Sequence, residues 1–116
     1  TVVLWFFPKA DTPGCTAEGC SFRDLKAEFE KKNAVILGAS FDTAAENRAF
    51  AEKFHFNFPL LCDTDRALGL AYGAADSRDA PNARRIGVVI DPEGKIKEYL
   101  PKVDARTYPT DVLERV

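Results

Sequence analysis

The chain alternates between short apolar runs and longer stretches in which apolar residues recur every three or four positions. The runs Val2–Phe7 and Ala34–Ser40 are continuous and of strand length, which predicts two buried strands in a sheet covered on both faces. Between them a helix is predicted as far as about Lys32, because apolar residues recur on one of its faces: Phe22, Leu25 and Phe29.

The second half of the chain continues this alternation with shorter elements. Thr43 and Glu46 form a capping-box pattern, which predicts the start of a helix that reaches about His55. After it the pattern predicts a strand, a short helix, a strand hairpin around a turn at Asp91–Gly94 and a last helix: Leu60–Cys62, Arg66–Tyr72, Arg85–Ile90 with Lys95–Leu100, and Tyr108–Val116.

This order of elements predicts an α/β protein with three layers, in which helices flank a mixed central sheet. A thioredoxin-like fold has this order. The alternation alone leaves a flavodoxin-like arrangement open. No glycine-rich phosphate loop of the G-x-x-x-x-G-K-[ST] or G-x-G-x-x-G kind supports nucleotide binding.

Composition narrows the class of protein. The chain has 116 residues, no repeats and no linker, so residues 1–116 are expected to form a single domain. A net charge of −2 and the absence of a basic patch argue against a nucleic-acid partner, and no apolar run is long enough to cross a membrane. Three cysteines are too few for a disulfide framework and predict reduced thiols in a cytoplasmic compartment.

The segment that carries chemistry follows the first strand, at the strand's carboxyl end. Thr12 and Pro13 are suited to the N-cap and first position of a helix, which places Cys15 in the first helical turn. The helix dipole favours a thiolate there, and the thiolate is the nucleophilic form. Gly14 leaves the sulfur accessible, and the Thr12 hydroxyl is in a position to donate to the sulfur or to a substrate oxygen.

A second thiol, Cys20, follows five residues later. On one intact helix their Cα atoms would lie roughly 8–9 Å apart, whereas a disulfide requires about 4.4–6.8 Å. Gly19 weakens the helix, and Ser21 with Asp24 offers a second capping box directly after Cys20. We therefore hypothesise that Cys15–Cys20 is a redox-driven order–disorder switch.

These residues resemble the active-site signature of the peroxiredoxins, Pro8-x-x-x-Thr12-x-x-Cys15. The string TPGCTAEGCSFRDL, with its second cysteine, resembles the Q-type or bacterioferritin-comigratory branch. Further landmarks follow in order along the chain: GASFD, FPLLCD and RRIGVVIDPEGKI. The resemblance implies a thioredoxin-like fold and a thiol peroxidase. It also implies that this chain lacks some N- and C-terminal segments of the family.

The resemblance also implies roles for individual residues. Cys15 would be the peroxidatic cysteine and Cys20 the resolving one. Thr12 would bond the peroxide, and Pro8 would shield the pocket. The family's arginine maps to Arg85, with its neighbour Arg84 as the rival, and Glu18 stands where many relatives carry a carboxylate that orients this arginine. Gly14 would border the substrate. Cys62 replaces a small polar residue and is expected to be buried and inert.

The implied reaction needs no metal, flavin or nucleotide. The partners would be a hydroperoxide and a dithiol such as thioredoxin, acting on a monomer. A zinc site is not expected, because the spacings match no usual ligand pattern in the set Cys15, Cys20, Cys62 and His55. Two other functions stay open: a thiol–disulfide oxidoreductase without peroxide chemistry, and a redox sensor without turnover.

Overall fold

A computed structural model describes all residues, 1–116, as five strands and four helices in alternating order. The strands are β1 (Val2–Phe6), β2 (Val35–Ser40), β3 (Leu60–Cys62), β4 (Ile86–Ile90) and β5 (Ile96–Leu100). The helices are α1 (Pro13–Lys31), α2 (Ala44–Lys53), α3 (Ala67–Tyr72) and α4 (Tyr108–Arg115). Every predicted element is present, and most bounds agree within one or two residues.

The strands form one mixed sheet in the order β3-β2-β1-β4-β5. The strands β1, β2 and β3 run parallel, whereas β4 runs antiparallel to both β1 and β5. A flavodoxin-like sheet is parallel, so the antiparallel β4 excludes that alternative. The predicted thioredoxin-like mixed sheet is confirmed.

Strand β1 supplies both faces of the sheet, as its continuous apolar run predicts. One core contains Val3, Trp5 and Phe7 and is covered by side chains from the helices, among them Phe22 of α1 and Val112 of α4. The opposite core contains Leu4 and Phe6 and is covered by α3 and the segment after it. Burial on both faces fixes β1 at the centre, so its carboxyl end lies in the middle of the molecule.

Two helix starts show how local sequence decides the bounds. Thr43 accepts a hydrogen bond from the Glu46 backbone N–H and donates its own N–H to the Glu46 carboxylate, so the predicted capping box is confirmed. The short helix starts one residue later than predicted, because Arg66 adopts a left-handed conformation with φ of 62°. Because Arg66 offers no side-chain cap, the buried Asp63 accepts hydrogen bonds from the N–H groups of Leu68 and Gly69 in the first turn.

None of the four helices combines the length and apolarity that crossing a membrane requires.

Candidate active site

Helix α1 begins where the sequence predicts, and its first turn holds Cys15. Thr12 has the extended conformation of an N-cap residue, and Pro13 occupies the first helical position. Cys15 is completely buried in this turn. Backbone N–H groups at a helix start have no helical partner, so they and the helix dipole present positive potential to the sulfur.

An arginine and a carboxyl group complete the surroundings of the sulfur. Arg85 Nη2 lies 3.5 Å from Cys15 Sγ, and Arg85 Nη1 donates to Glu18 Oε1 over 2.7 Å. The Glu18 side chain is completely buried and that of Arg85 is 19% exposed. Glu18 lies three residues after Cys15, so both side chains occupy the same face of α1 and Arg85 bridges them.

Burial determines the charge on this cluster. Burial raises the pKa of Glu18 to about 8, against the opposing effect of its contact with Arg85. The pKa of Arg85 is raised: burial acts to lower it, but the hydrogen bond to Glu18 and the charge of Cys15 outweigh that effect. Burial thus opposes the charged form of Glu18, so Glu18 offsets less of the positive charge that Arg85 presents to Cys15.

The rival arginine points elsewhere. Arg84 is exposed, pairs with Asp76 and donates to the carbonyl oxygen of Gly73 over 3.1 Å. Neighbouring residues of an extended segment point to opposite sides, so only one of the two arginines can face α1. The structure brings Arg85, not Arg84, to Cys15.

The loop between β1 and α1 is held by residues that the sequence analysis did not single out. Asp42 has a side chain only 2% exposed, and its Oδ1 lies 2.8 Å from Lys9 Nζ. Its Oδ2 accepts the N–H of Ala10 over 2.8 Å. The sequence contains a signal for Asp42, because it lies two residues after the buried strand β2 in the landmark GASFD, at the sheet edge where polar groups meet.

The Thr12 hydroxyl makes a different contact from the expected one. It donates to the carbonyl oxygen of Lys9 over 2.7 Å and caps no backbone N–H of the helix. The expected donation to the sulfur is therefore not seen in this structure, whereas the contact with a substrate oxygen stays a prediction. Its oxygen keeps lone pairs that can accept a hydrogen bond.

Gly14 borders the site, but the sulfur it was expected to leave accessible is completely buried. A Cβ atom on Gly14 would lie 2.9 Å from Arg85 Nη2 and 3.8 Å from the Cβ of Ala105. A side chain at this position would therefore displace the guanidinium from the sulfur. Pro8 is half-buried two residues after the end of β1, and its shielding of the pocket stays a prediction.

The remaining cysteines are free thiols, as is Cys15. Cys20 is half-buried within the unbroken helix α1, so the second capping box expected at Ser21 is not formed here. Cys62 is half-buried rather than buried, because it ends the three-residue edge strand β3, and Asn47 Nδ2 lies 3.5 Å from its sulfur. No group of three His, Cys, Asp or Glu side chains could hold a metal ion.

Comparison with known proteins identifies the family of this chain. The sequence profile of the AhpC/TSA family matches residues 1–99. The chain belongs to this family. The peroxiredoxin Bcp of Xanthomonas campestris is 35% identical over 117 residues, which are 97% of this chain and 73% of that protein. The putative peroxiredoxin bcp of Coxiella burnetii is 35% identical over 120 residues, 99% of this chain and 80% of that protein.

Solved structures of family members agree with the fold. A structure of the bacterioferritin comigratory protein of Xanthomonas campestris, from work on alkyl peroxide reduction, matches with a TM-score of 0.91 at 34% identity. It is matched over 98% of this chain and 76% of its own. A cysteine-to-serine mutant of Xylella fastidiosa PrxQ gives a TM-score of 0.91 at 32% identity, over 98% of this chain and 74% of its own. The peroxiredoxin resemblance, in its Bcp or Q branch, is confirmed, and the chain is a peroxidase of this family.

Proposed function

We propose that this peroxiredoxin reduces hydrogen peroxide and organic hydroperoxides with Cys15 as the peroxidatic and Cys20 as the resolving cysteine. The observation that carries the proposal is the position of Cys15, buried in the first turn of α1 with Arg85 Nη2 3.5 Å from its sulfur. The helix N-terminus and the guanidinium both present positive charge to the sulfur, and the thiolate is the form that attacks a peroxide.

In the first step the Cys15 thiolate attacks one oxygen of the hydroperoxide. The S–O bond forms as the O–O bond breaks, the attacked oxygen keeps its proton so that Cys15 becomes a sulfenic acid, and the leaving oxygen takes a proton from water to give ROH. Negative charge moves from sulfur to the leaving oxygen during this step. Arg85 stays cationic and presents several donors, so it stabilises that charge throughout.

Thr12, Gly14 and Pro8 would orient the substrate. Because Thr12 donates its proton to Lys9, its oxygen is free to accept from the O–H of the hydroperoxide. This contact would direct the protonated oxygen toward Thr12. Gly14 leaves room for the substrate beside Arg85, and Pro8 would limit the approach of water. Glu18 would act through Arg85, whose guanidinium it orients.

In the second step the Cys20 thiol attacks the sulfenic sulfur, which forms the Cys15–Cys20 disulfide and releases water. The helix must open locally, because five residues on an intact helix separate the Cα atoms too far. The family implies peroxide substrates and a thioredoxin-type dithiol, which would reduce the disulfide by exchange. Both cysteines lie in one chain, so we propose a monomeric functional unit in a cytoplasmic compartment that regenerates thiols.

Burial of Cys15 also bears on the alternative functions. A thiol–disulfide oxidoreductase without peroxide chemistry must bring a protein disulfide to its reactive sulfur. While α1 is helical the Cys15 sulfur is closed to solvent, so in this conformation a small shift admits a hydroperoxide more readily than a protein disulfide. No contact in the structure specifically favours this alternative or a redox sensor.

Peptide-level thiol mapping by mass spectrometry tests the proposal. Reduced protein receives one equivalent of hydrogen peroxide, with Cys15→Ser and Cys20→Ser as variants. We expect a Cys15–Cys20 disulfide with Cys62 left free, and a trapped sulfenic acid on Cys15 in Cys20→Ser. The proposal is wrong if Cys15 stays reduced while peroxide persists, or if the disulfide forms through Cys62.

Two neighbouring arginines supply a matched control. Arg85→Lys should slow the reaction of Cys15 with peroxide by roughly a hundredfold, because a lysine cannot contact the sulfur and Glu18 together. Arg84→Lys should react at the wild-type rate, since Arg84 points to Asp76 and Gly73. Equal rates in the two variants would contradict the role given to Arg85.

A further inference from the structure

The residue before Cys20 lies against an aromatic ring. A Cβ atom on Gly19 would lie 2.4 Å from Cζ of Phe56, so the helix backbone touches the ring at this point. The ring is held in a row, with its centroid 5.1 Å from that of Phe58 and 6.1 Å from that of Phe54, both stacked. Phe56 is therefore a fixed surface against which the Gly19 backbone packs.

Phe56 lies in the loop between α2 and β3, and this loop also binds the next turn of α1 by hydrogen bonds. Arg23 Nη1 donates to the carbonyl oxygen of Phe54 over 2.6 Å, and Asn57 Nδ2 donates to that of Arg23 over 3.3 Å. Lys26 Nζ donates to the carbonyl oxygen of Asn57. The loop itself is fixed, because Phe56 donates its N–H to Ala51 over 2.9 Å. Helix α1 is thus tied from Arg23 onward, whereas this loop holds it at Gly19 by packing alone.

We propose that Phe56 is a positioning residue for the resolving step, holding Gly19 and Cys20 in the helix while Cys15 reacts with peroxide. The hydrogen bonds at Arg23 and Lys26 would stop the unwinding just beyond Cys20. The inference rests on the proposed function, because it assigns the control of the Cys15–Cys20 disulfide to a residue that touches neither sulfur.

The chemical consequence is a competition for the sulfenic acid on Cys15. If the segment opens, the Cys20 thiol attacks the sulfenic sulfur and the products are a disulfide and water. If it stays helical, a second hydroperoxide oxidises the sulfenic acid to a sulfinic acid and leaves as ROH. The Phe56 contact therefore sets how often the first outcome precedes the second.

Amide exchange of the reduced protein tests the contact without any peroxide. Phe56→Ala should speed exchange of the amides of residues 17–20 by roughly tenfold, because the helix loses the surface it packs on. The matched control is Phe54→Ala, which removes a ring from the same row but leaves the ring against Gly19. Equal effects of the two variants on residues 17–20, after correction for global unfolding, would overturn the inference.

A second substitution, Gly19→Ala, should change amide exchange in opposite directions in the wild type and in Phe56→Ala. In the wild type, Gly19→Ala drives a methyl group into the ring and should speed exchange of residues 17–20. In Phe56→Ala the ring is gone, so the higher helix propensity of alanine acts alone and should slow exchange by roughly fivefold. The same direction in both backgrounds would show that Phe56 does not hold Gly19.

Treatment with peroxide then measures the competition between disulfide formation and further oxidation of Cys15. With excess hydrogen peroxide, Phe56→Ala should raise the ratio of disulfide to Cys15 sulfinic acid by roughly tenfold over the wild type, in line with its faster opening. If the wild type forms no Cys15–Cys20 disulfide, the proposed function is wrong. The amide exchange data still test the contact between Phe56 and Gly19 in that case. If the wild type forms it and Phe56→Ala changes neither exchange nor ratio, the role of Phe56 is wrong.

Discussion

Replacing Glu18 with glutamine should stabilise the protein increasingly as the pH rises through the neutral range. Glutamine has nearly the shape of a protonated glutamic acid and can still accept from Arg85 Nη1. It does not titrate. The substitution therefore removes the proton equilibrium of one completely buried carboxyl group and leaves its packing in place.

The magnitude follows from the shift in pKa. Burial raises the pKa of Glu18 from its ordinary 4.5 to about 8. A raised folded-state pKa means that the protonated group favours folding, so its contribution is fully present below pH 4.5 and is lost as the pH rises through 8. At about 1.4 kcal/mol per unit, the loss over this window is on the order of 5 kcal/mol.

The assay is urea unfolding of wild type and Glu18→Gln at a series of pH values between 3 and 9. The difference between the two free energies of unfolding cancels every other titrating group. We expect this difference to move in favour of Glu18→Gln by several kcal/mol from pH 5 to pH 8, and to level off above.

Two results would refute the reasoning. A difference that does not change with pH would mean that the Glu18 pKa is near its ordinary value. A difference that moves in favour of the wild type as the pH rises would mean that the ion pair with Arg85 outweighs the cost of burial. In either case Glu18 would be charged at neutral pH, and the positive charge of Arg85 would be shared between Glu18 and Cys15.

Two further predictions concern the loop before α1. Thr12→Val should slow the reaction of Cys15 with peroxide by roughly tenfold to a hundredfold in stopped-flow fluorescence, whereas Thr12→Ser should retain most of the rate; equal rates in both would contradict the acceptor role. Asp42→Asn should lower stability to urea by about 1–3 kcal/mol and slow the same reaction, because Lys9 loses its buried partner. The control Glu46→Gln removes the exposed partner of Lys9 and should leave the rate unchanged.

The sequence predicted the elements of this fold well because their signals are local. The capping box at Thr43 and the apolar run of β1 each depend on residues close together in the chain. The errors are also local in origin. The left-handed Arg66 delayed a helix start, and Cys62 is half-buried because it lies on a short edge strand.

What the sequence by itself determined about the site is the placement of Cys15. Thr12 and Pro13 start a helix directly after a buried strand, so the thiol had to lie at the helix N-terminus. This follows from short-range backbone preferences, and the observed helix start agrees with them.

Only the tertiary structure decided which groups meet that thiol. Arg84 and Arg85 are neighbours of the same type, and the register of β4 against β1 determines which of them faces α1. The burial that raises the pKa of Glu18, the Asp42 contact with the loop and the packing of Phe56 on Gly19 each join residues distant in the chain. Such contacts depend on how the elements pack in three dimensions, which the local pattern of apolar and polar residues does not specify.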